Sequence, residues 1–492
     1  MSLKEKTILA IKWNLLSTII VNFMGIFSLW ILSHLLSTTD YGVMSSALII
    51  STFVMMLLDF GISNSIIRSK DLNENELSSL FFINVFLGVL SFLLVFSCSN
   101  FFSGLFHGGT NLSSQIKIIS FGFLFIAFSL QPKALLTREM DFTSLSKISI
   151  FTNALNYIVV LTLCYIYRSS WCIAFGFVIS MLFSAILSNF FARKIKEYRF
   201  SLLFKYSSVK QHLKYGLQLV SDSLVNQISI NTYPVLMSRL VSISAIGGYN
   251  LAYSISISLF EKLNPVLSHT LFPAFSKISS DEEKLKNTFL NVTTYSSLIN
   301  FPLLIGVCMV ADEIVSIFFD SKWIFIIPIV KILSITGAIR SLDTPVISVL
   351  LVKAKMYLNV RLGVLKLILG IPLSFYMGKK FGIVGISLSF LIVQTLNTIF
   401  GYFYLLRQSL DLSLKSYIYH ILIPILHTLP IIFVGELVKE MLVSESDAYK
   451  LFIIVASCLM IYILTLLIST NSVVKSFKNI IINGVIKIGG RN

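Results

Sequence analysis

Charged side chains are scarce in this chain, at 13% of its 492 residues, where a soluble domain carries roughly a quarter. With 55% apolar residues and a mean hydropathy of +0.85, that scarcity excludes a water-soluble arrangement and puts the chain in a membrane. Nucleic-acid binding, cytosolic catalysis and secretion are disfavoured together. Cysteine is thin as well: Cys98, Cys164, Cys172, Cys308 and Cys458 sit singly in apolar stretches. No CxxC pair and no His at metal-ligand spacing accompanies them, so they read as apolar fillers and no metal site is expected. The chain has no GxxxxGK[ST] phosphate loop, which disfavours ATP-driven transport by this chain alone, and no HExxH or GxSxG. The outward loops around 101–115, 312–323 and 440–449 are short, whereas a membrane-embedded glycosyltransferase or polymerase needs room for acidic or His catalytic groups. An expectation of moving a substrate, not reacting it, and of no cofactor, follows.

Long apolar stretches bounded by charge and turn residues mark about fourteen transmembrane helices in an all-α chain. They run over 11–36, 43–67, 78–101, 116–136, 145–167, 171–192, 213–238, 246–275, 287–311, 324–351, 357–377, 383–406, 416–439 and 450–469. The first, from Trp13 to Leu36, follows Lys4, Lys6 and Lys12 but is too long for a signal-peptide core and lacks a small-residue cleavage site, so it is expected to stay. Asp281, Glu282 and Glu283 suit a helix start at the next span. Sorting Lys and Arg by this reading puts 26 on the side of the N-terminus, 8 on the other and 5 within spans. By the positive-inside rule both termini are cytoplasmic and the span number is even.

A faint repeat supports a two-lobe plan. Leu35-Leu36-Ser37 with Gly42 and Ala47 returns as Leu240-Val241-Ser242 with Gly247 and Ala252, at a constant offset of 205 residues. An offset of six spans leaves both copies in the same orientation. Two parallel six-helix lobes around a central cavity, residues 1–205 and 206–410, followed by two additional helices and a basic tail over 411–492, are expected.

Polar side chains inside spans tend to face partners or a wet path. Gln218, Asp222, Asn226, Ser229 and Tyr233 stack on one helix face; so do Asn250, Ser254, Glu261, Pro265 and Ser268, and in the first span Asn14, Thr18, Asn22 and Gly25. These stripes are candidates for a lumen, with interhelical hydrogen bonding the alternative. Other intramembrane charges are Asp59, Lys262, Lys331, Arg340, Asp343, Arg361 and Lys366. Arg340 and Asp343, three apart, suit a local ion pair. Lys331 and Arg340, nine apart, lie on opposite helix faces unless the helix breaks. Arg361 and Lys366, near a cytoplasmic end, suit snorkelling. The glycines from Gly378 to Gly385 read as a turn between spans.

Trp13, Leu35-Leu36-Ser37-Thr38-Thr39-Asp40-Tyr41-Gly42, Leu58-Asp59-Phe60-Gly61 and Ile66-Ile67-Arg68 open the chain in a familiar order. Thr137-Arg138-Glu139-Met140-Asp141-Phe142, Gly247-Gly248-Tyr249-Asn250-Leu251-Ala252-Tyr253, Leu271-Phe272-Pro273-Ala274-Phe275-Ser276-Lys277, Pro302-Leu303-Leu304-Ile305-Gly306, Trp323 and Ile339-Arg340-Ser341-Leu342 follow. The set, over about residues 7–405, resembles Wzx-type polysaccharide flippases of the multidrug/oligosaccharidyl-lipid/polysaccharide exporter superfamily, nearest the colanic-acid and teichuronic-acid exporter branch. His34 and Tyr233 depart from that pattern, where relatives commonly carry a basic residue and an Asp, which puts charge carry-over there in doubt.

The resemblance implies two six-helix lobes plus two helices in the bacterial cytoplasmic membrane. It implies as cargo an undecaprenyl-pyrophosphate-linked oligosaccharide of an O-antigen, capsule or exopolysaccharide, with membrane lipids and other polysaccharide-assembly proteins as partners. For such a cargo, Arg138, Lys262 and Arg340 are candidates for phosphate or acidic sugar, and Asn226, Asn250 and Tyr233 for hydroxyls. Asp59, Asp222 and Glu261 are candidates for taking up a proton or Na⁺. The rival readings are a multidrug cation extruder on the same scaffold and a membrane-embedded polymerase or ligase.

Overall fold

In hydrocarbon a backbone must satisfy its own N–H and C=O groups, and a single segment does so as a helix. The computed structural model describes residues 3–59, 61–68, 73–195, 224–225, 227–258, 261, 271, 275–353 and 355–489. It is helical, with no strand among the described residues. Among them, 11 helices are long and apolar enough to cross a membrane. One of these, Met356–Leu410, runs through two expected spans, 357–377 and 383–406, with Gly382 between them at φ 58° and ψ −138°. Only glycine adopts that backbone readily, so the glycine-marked turn is where the helical geometry breaks. Just under half of each of the expected spans 213–238 and 246–275 falls outside the described residues.

The described chain divides into two compact units, Met1–Gly247 and Gly248–Asn492. In the first, the helix Gly109–Arg138 is the hub, packed by Trp171–Ala192, Glu74–Ser97, Thr38–Asp59 and Ile62–Arg68. Small residues permit the close approach: a Cβ on Gly88 would stand 2.5 Å from the Cβ of Ala127, and one on Gly122 would stand 2.5 Å from the Phe177 ring. Buried polar groups tie the same helices together. Gln115 Nε2 donates to Ser170 Oγ at 2.6 Å, and Ser170 donates in turn to Asp40 Oδ1 at 3.0 Å.

The repeat reappears as geometry within this unit. Helices begin at Thr38 and at Ile243, each behind a serine whose hydroxyl accepts a backbone N–H three residues on: Asp40 N–H to Ser37 at 3.0 Å and Ala245 N–H to Ser242 at 3.2 Å. The two serines are 205 residues apart. Equivalent positions also meet each other, since the hydroxyls of Thr39 and Ser244 lie 3.1 Å apart. A Cβ on Gly42 would stand 2.0 Å from the Ile243 carbonyl oxygen, and one on Gly247 would stand 2.8 Å from the Gly42 nitrogen. Contact between equivalent residues is what a local two-fold relation between two helix starts produces, and it explains why both copies keep glycine there.

In the second unit, Glu282–Met309 packs against Leu414–Met441 and Ile327–Arg340, and Asp447–Ile468 packs against Leu414–Met441. The acidic start acts as expected: the Asp281 carboxylate accepts the Lys284 N–H at 2.9 Å. Phe275, Phe289, Val349, Leu405, Leu406 and Tyr417 join one buried cluster, in which the rings of Tyr402 and Tyr417 stack at 5.6 Å.

Candidate functional site

A helix end within an apolar unit leaves carbonyls without partners and suits a cation. Ile327–Arg340 ends on such a cation: Ser341 and Leu342 form a turn, and the next helix starts at Asp343. Across this break Arg340 pairs with Glu261 and not with Asp343. Its Nη1 lies 3.0 Å from Glu261 Oε1 and donates to Tyr253 Oη at 3.0 Å, while Tyr253 donates to the same carboxylate oxygen at 2.7 Å. Three residues from separate parts of the second unit thus close a triangle, with the Arg340 side chain 15% exposed and that of Glu261 36% exposed. The local Arg340–Asp343 pair expected from spacing is therefore replaced by a longer-range one. Of the expected site residues, Arg340 and Glu261 are brought together although they were assigned opposite roles. Tyr253, which bridges them, was visible only as the end of a family motif.

Asp343 belongs to a second chain of bonds. Gln394 Nε2 donates to Asp343 Oδ2 at 3.0 Å, and Lys366 Nζ donates to Gln394 Oε1 at 2.8 Å. Lys366 thus bonds inward and does not snorkel as its position suggested, whereas Arg361 is exposed over the Tyr357 ring. Gln394 is fully buried; an amide in an apolar span was the signal that would have found it.

Lys331 is accounted for differently. Its helix is continuous to Arg340, so the two cations point apart as the nine-residue spacing requires. Lys331 pairs with Asp312 at 2.7 Å, beside Lys439 at 3.1 Å from Asp312 and 3.4 Å from Glu313. Burial would raise the Asp312 carboxyl, but hydrogen bonds from Lys331 and Lys439 outweigh it and hold the group below its ordinary range.

The other candidates are placed as follows. Asp59 closes its helix by accepting the backbone N–H of Ser63 at 3.2 Å and the Ser63 hydroxyl, a structural use of the carboxylate. Arg138 ends the Gly109–Arg138 helix, half-buried, and Tyr233 is buried within the first unit. Asn250 is half-buried on Ile243–Ile255. Asp222, Asn226 and Lys262 lie outside the described residues, as do Gln218, Pro265 and Ser268. Along the polar stripes the hydroxyls of Ser229 and Ser254 donate to carbonyls of their own helices at 2.7 and 2.8 Å, so they need no partner across a helix interface. Cys164 and Cys172 are buried free thiols, and Cys164 Sγ faces the Ser169 carbonyl at 3.9 Å. Among the described residues no cluster of His, Cys, Asp and Glu could hold a metal ion.

The second unit also holds an apolar groove of about 900 Å³, lined by Leu298, Pro302, Val310, Ile431, Phe452 and Phe477 among others. Almost no polar surface faces into it. A charged triangle around Arg340 and an apolar groove thus occur within one unit.

Comparison with known proteins adds lineage to this geometry. Residues 31–328 match the family described as polysaccharide biosynthesis protein. The chain is 32% identical over 480 residues to an uncharacterized membrane protein in the cps region of Klebsiella pneumoniae, covering 98% of each chain. It is 32% identical over 435 residues to the lipopolysaccharide biosynthesis protein WzxC of Escherichia coli strain K12, covering 88% of each. In fold it is similar to lipid II flippase MurJ in an inward closed conformation, with a TM-score of 0.74 at 17% identity over 93% of this chain and 98% of that one.

Proposed function

The chain belongs to the polysaccharide biosynthesis protein family, and from that premise we propose that it is a flippase for an undecaprenyl-pyrophosphate-linked oligosaccharide. It takes the head group from the cytoplasmic to the periplasmic leaflet by alternating access. The supporting observation is the pairing, in one unit, of Arg340 held by Glu261 and Tyr253 with an apolar groove of about 900 Å³.

A pyrophosphate and its sugars cannot cross about 30 Å of hydrocarbon unaided, while the prenyl tail is stable there. A carrier for both needs a cation-bearing polar seat and an apolar channel for the tail. On this reading the head engages Arg340, with Arg138 and Lys262 as further cations and Asn226, Asn250 and Tyr233 as hydroxyl partners. Asp59, Asp222 and Glu261 are the groups that reset the cycle by taking up a proton or Na⁺. Lobes 1–205 and 206–410, with 411–492 appended, rock against one another. The protein is a transporter and not an enzyme, works in the bacterial inner membrane with both termini cytoplasmic, and delivers its cargo to other polysaccharide-assembly proteins. Relatives share a scaffold across many sugars, so the fold does not name the glycan.

Deleting the gene tests this. Lipid-linked repeat units should accumulate facing the cytoplasm, and polymerised surface glycan should be lost. If the units still reach the periplasm and only their polymerisation stops, the polymerase reading replaces this one. If glycan is unchanged and cells become sensitive to cationic drugs, the drug-extruder reading does.

A further inference from the structure

The helix Ser472–Gly489 follows the last span, Asp447–Ile468, after three residues, and its composition differs from that of any span. The preceding span, Asp447–Ile468, has no charged residue after Lys450. This helix instead alternates at helical spacing: Val474 and Phe477 are buried, while Lys475, Ser476 and Asn479 on the other side are exposed.

Its first turns are fixed to the bundle. Val474 and Phe477 pack with Leu298 and Ile423, and the Phe477 ring lies 5.5 Å from that of Tyr295. Asn471 donates to Tyr419 Oη at 2.9 Å and accepts the Val473 N–H at 2.9 Å. Lys478 Nζ donates to the carbonyls of Leu467 and Ser469 at 3.2 and 3.4 Å, closing the end of the span. One turn past Phe477, Ile480 is 58% exposed. From residue 472 onward the sequence has Lys475, Lys478, Lys487 and Arg491 and no acidic residue.

We propose that this helix lies in the membrane interface and binds anionic lipid headgroups of the leaflet at which the 447–468 span ends. A helix tied to the end of a span has its exposed apolar side chains next to the acyl boundary, which is the surface available to cover Ile480. Its lysines then stand at headgroup depth, where a surplus of positive charge with no carboxylate nearby attracts anionic lipid. The inference rests on the chain spanning a membrane and not on what it transports.

The test uses the full chain in nanodiscs of phosphatidylcholine alone and of phosphatidylcholine with about one-third phosphatidylglycerol, with amide hydrogen exchange read over 473–489. Exchange should be at least about fivefold slower in the anionic discs, the effect of roughly one lysine–headgroup contact. The difference should disappear at about 1 M salt, where charges are screened within a few ångströms. The Lys475→Gln/Lys478→Gln/Lys487→Gln chain should exchange at one rate in both discs. Equal rates for the unaltered chain in the two discs would overturn the proposal, and that comparison needs no variant to fold. Slowing by inorganic phosphate in neutral discs would overturn it in favour of a free-anion site. Protection that depends on the number of chains per disc would overturn it in favour of a second copy.

Discussion

Replacing Arg340 with Ala separates a structural cation from a substrate cation, provided its real partner is used as the control. The guanidinium lies 3.0 Å from Glu261 Oε1 and 3.0 Å from Tyr253 Oη. Breaking a buried ion pair from one side costs about 3–5 kcal/mol, and an exposed one about 0–1 kcal/mol. With Arg340 at 15% exposure and Glu261 at 36%, the cost falls between these limits, at about 2 kcal/mol, a factor of about 30 in an equilibrium constant. The Arg340→Ala chain should therefore unfold at a lower temperature in detergent and transport at least about tenfold more slowly. Adding Glu261→Ala removes the stranded carboxylate, so thermal stability should return to within about 1 kcal/mol of the unaltered chain. Transport, measured as arrival of lipid-linked oligosaccharide in the outer leaflet of reconstituted vesicles, should stay lost. If the double variant transports normally, Arg340 only neutralises Glu261 and is not a ligand for the head group. Pairing Arg340→Ala with Asp343→Ala instead should rescue neither property, because Asp343 accepts its bond from Gln394.

Four further outcomes are expected. Cysteines placed at Asn111 and Ser446 should react with an impermeant thiol reagent in intact cells, following the 26-to-8 division of Lys and Arg; reaction at position 208 instead would invert the topology. Gly42→Ala puts a methyl 2.0 Å from the Ile243 carbonyl and should cost about 1–3 kcal/mol, read as lower abundance in the membrane fraction. Gly306→Ala, with nothing within 4 Å of the new methyl, should be neutral or slightly stabilising by up to about 1 kcal/mol. Asp312 titrates below its ordinary value, so its pairing is fully present above a pH of about 4 and is lost as pH falls through the folded value. Asp312→Asn should thus lower the unfolding temperature by about 1–3 °C at pH 7, and a difference that survives strong acid would show that the lysine pairing is not its cause.

The helical membrane architecture was legible because the bilayer makes it a matter of length and hydropathy, which a sequence states directly. So was the repeat. Its five matches are small or apolar and individually weak, yet Ser37 and Ser242 cap helix starts and Gly42 and Gly247 meet at a crossing. The site was legible only by residue type. Periodicity assigns a side chain to a face of its own helix, and it therefore paired Arg340 with Asp343 three residues away. The turn at Ser341 and Leu342 and the position of Glu261 are tertiary facts that no spacing encodes. The same reason kept Gln394 unseen as the bridge between Lys366 and Asp343, and left Lys331 as an intramembrane charge with no named partner when its partner is Asp312 on a short helix between spans.

These charge pairs share a placement. Arg340 stands at a helix end, Asp343 at a helix start, and Asp312 in the first turn of Ala311–Phe318. A cation at a C-terminus and a carboxylate at an N-terminus are each stabilised by unpaired backbone dipoles, an aid that mid-helix positions lack. In a chain with so few charges, breaks in its helices are where an ionised group is cheapest to keep in hydrocarbon. Such a group, once neutralised by a partner, does not attract a substrate unless the substrate offers more than the partner does. A doubly charged pyrophosphate offers more to Arg340 than one carboxylate of Glu261, whereas an organic cation offers nothing to Arg340 and must compete with it for Glu261. On the proposed reading the triangle discriminates by sign, favouring an anionic head group over the cations that a drug extruder would carry.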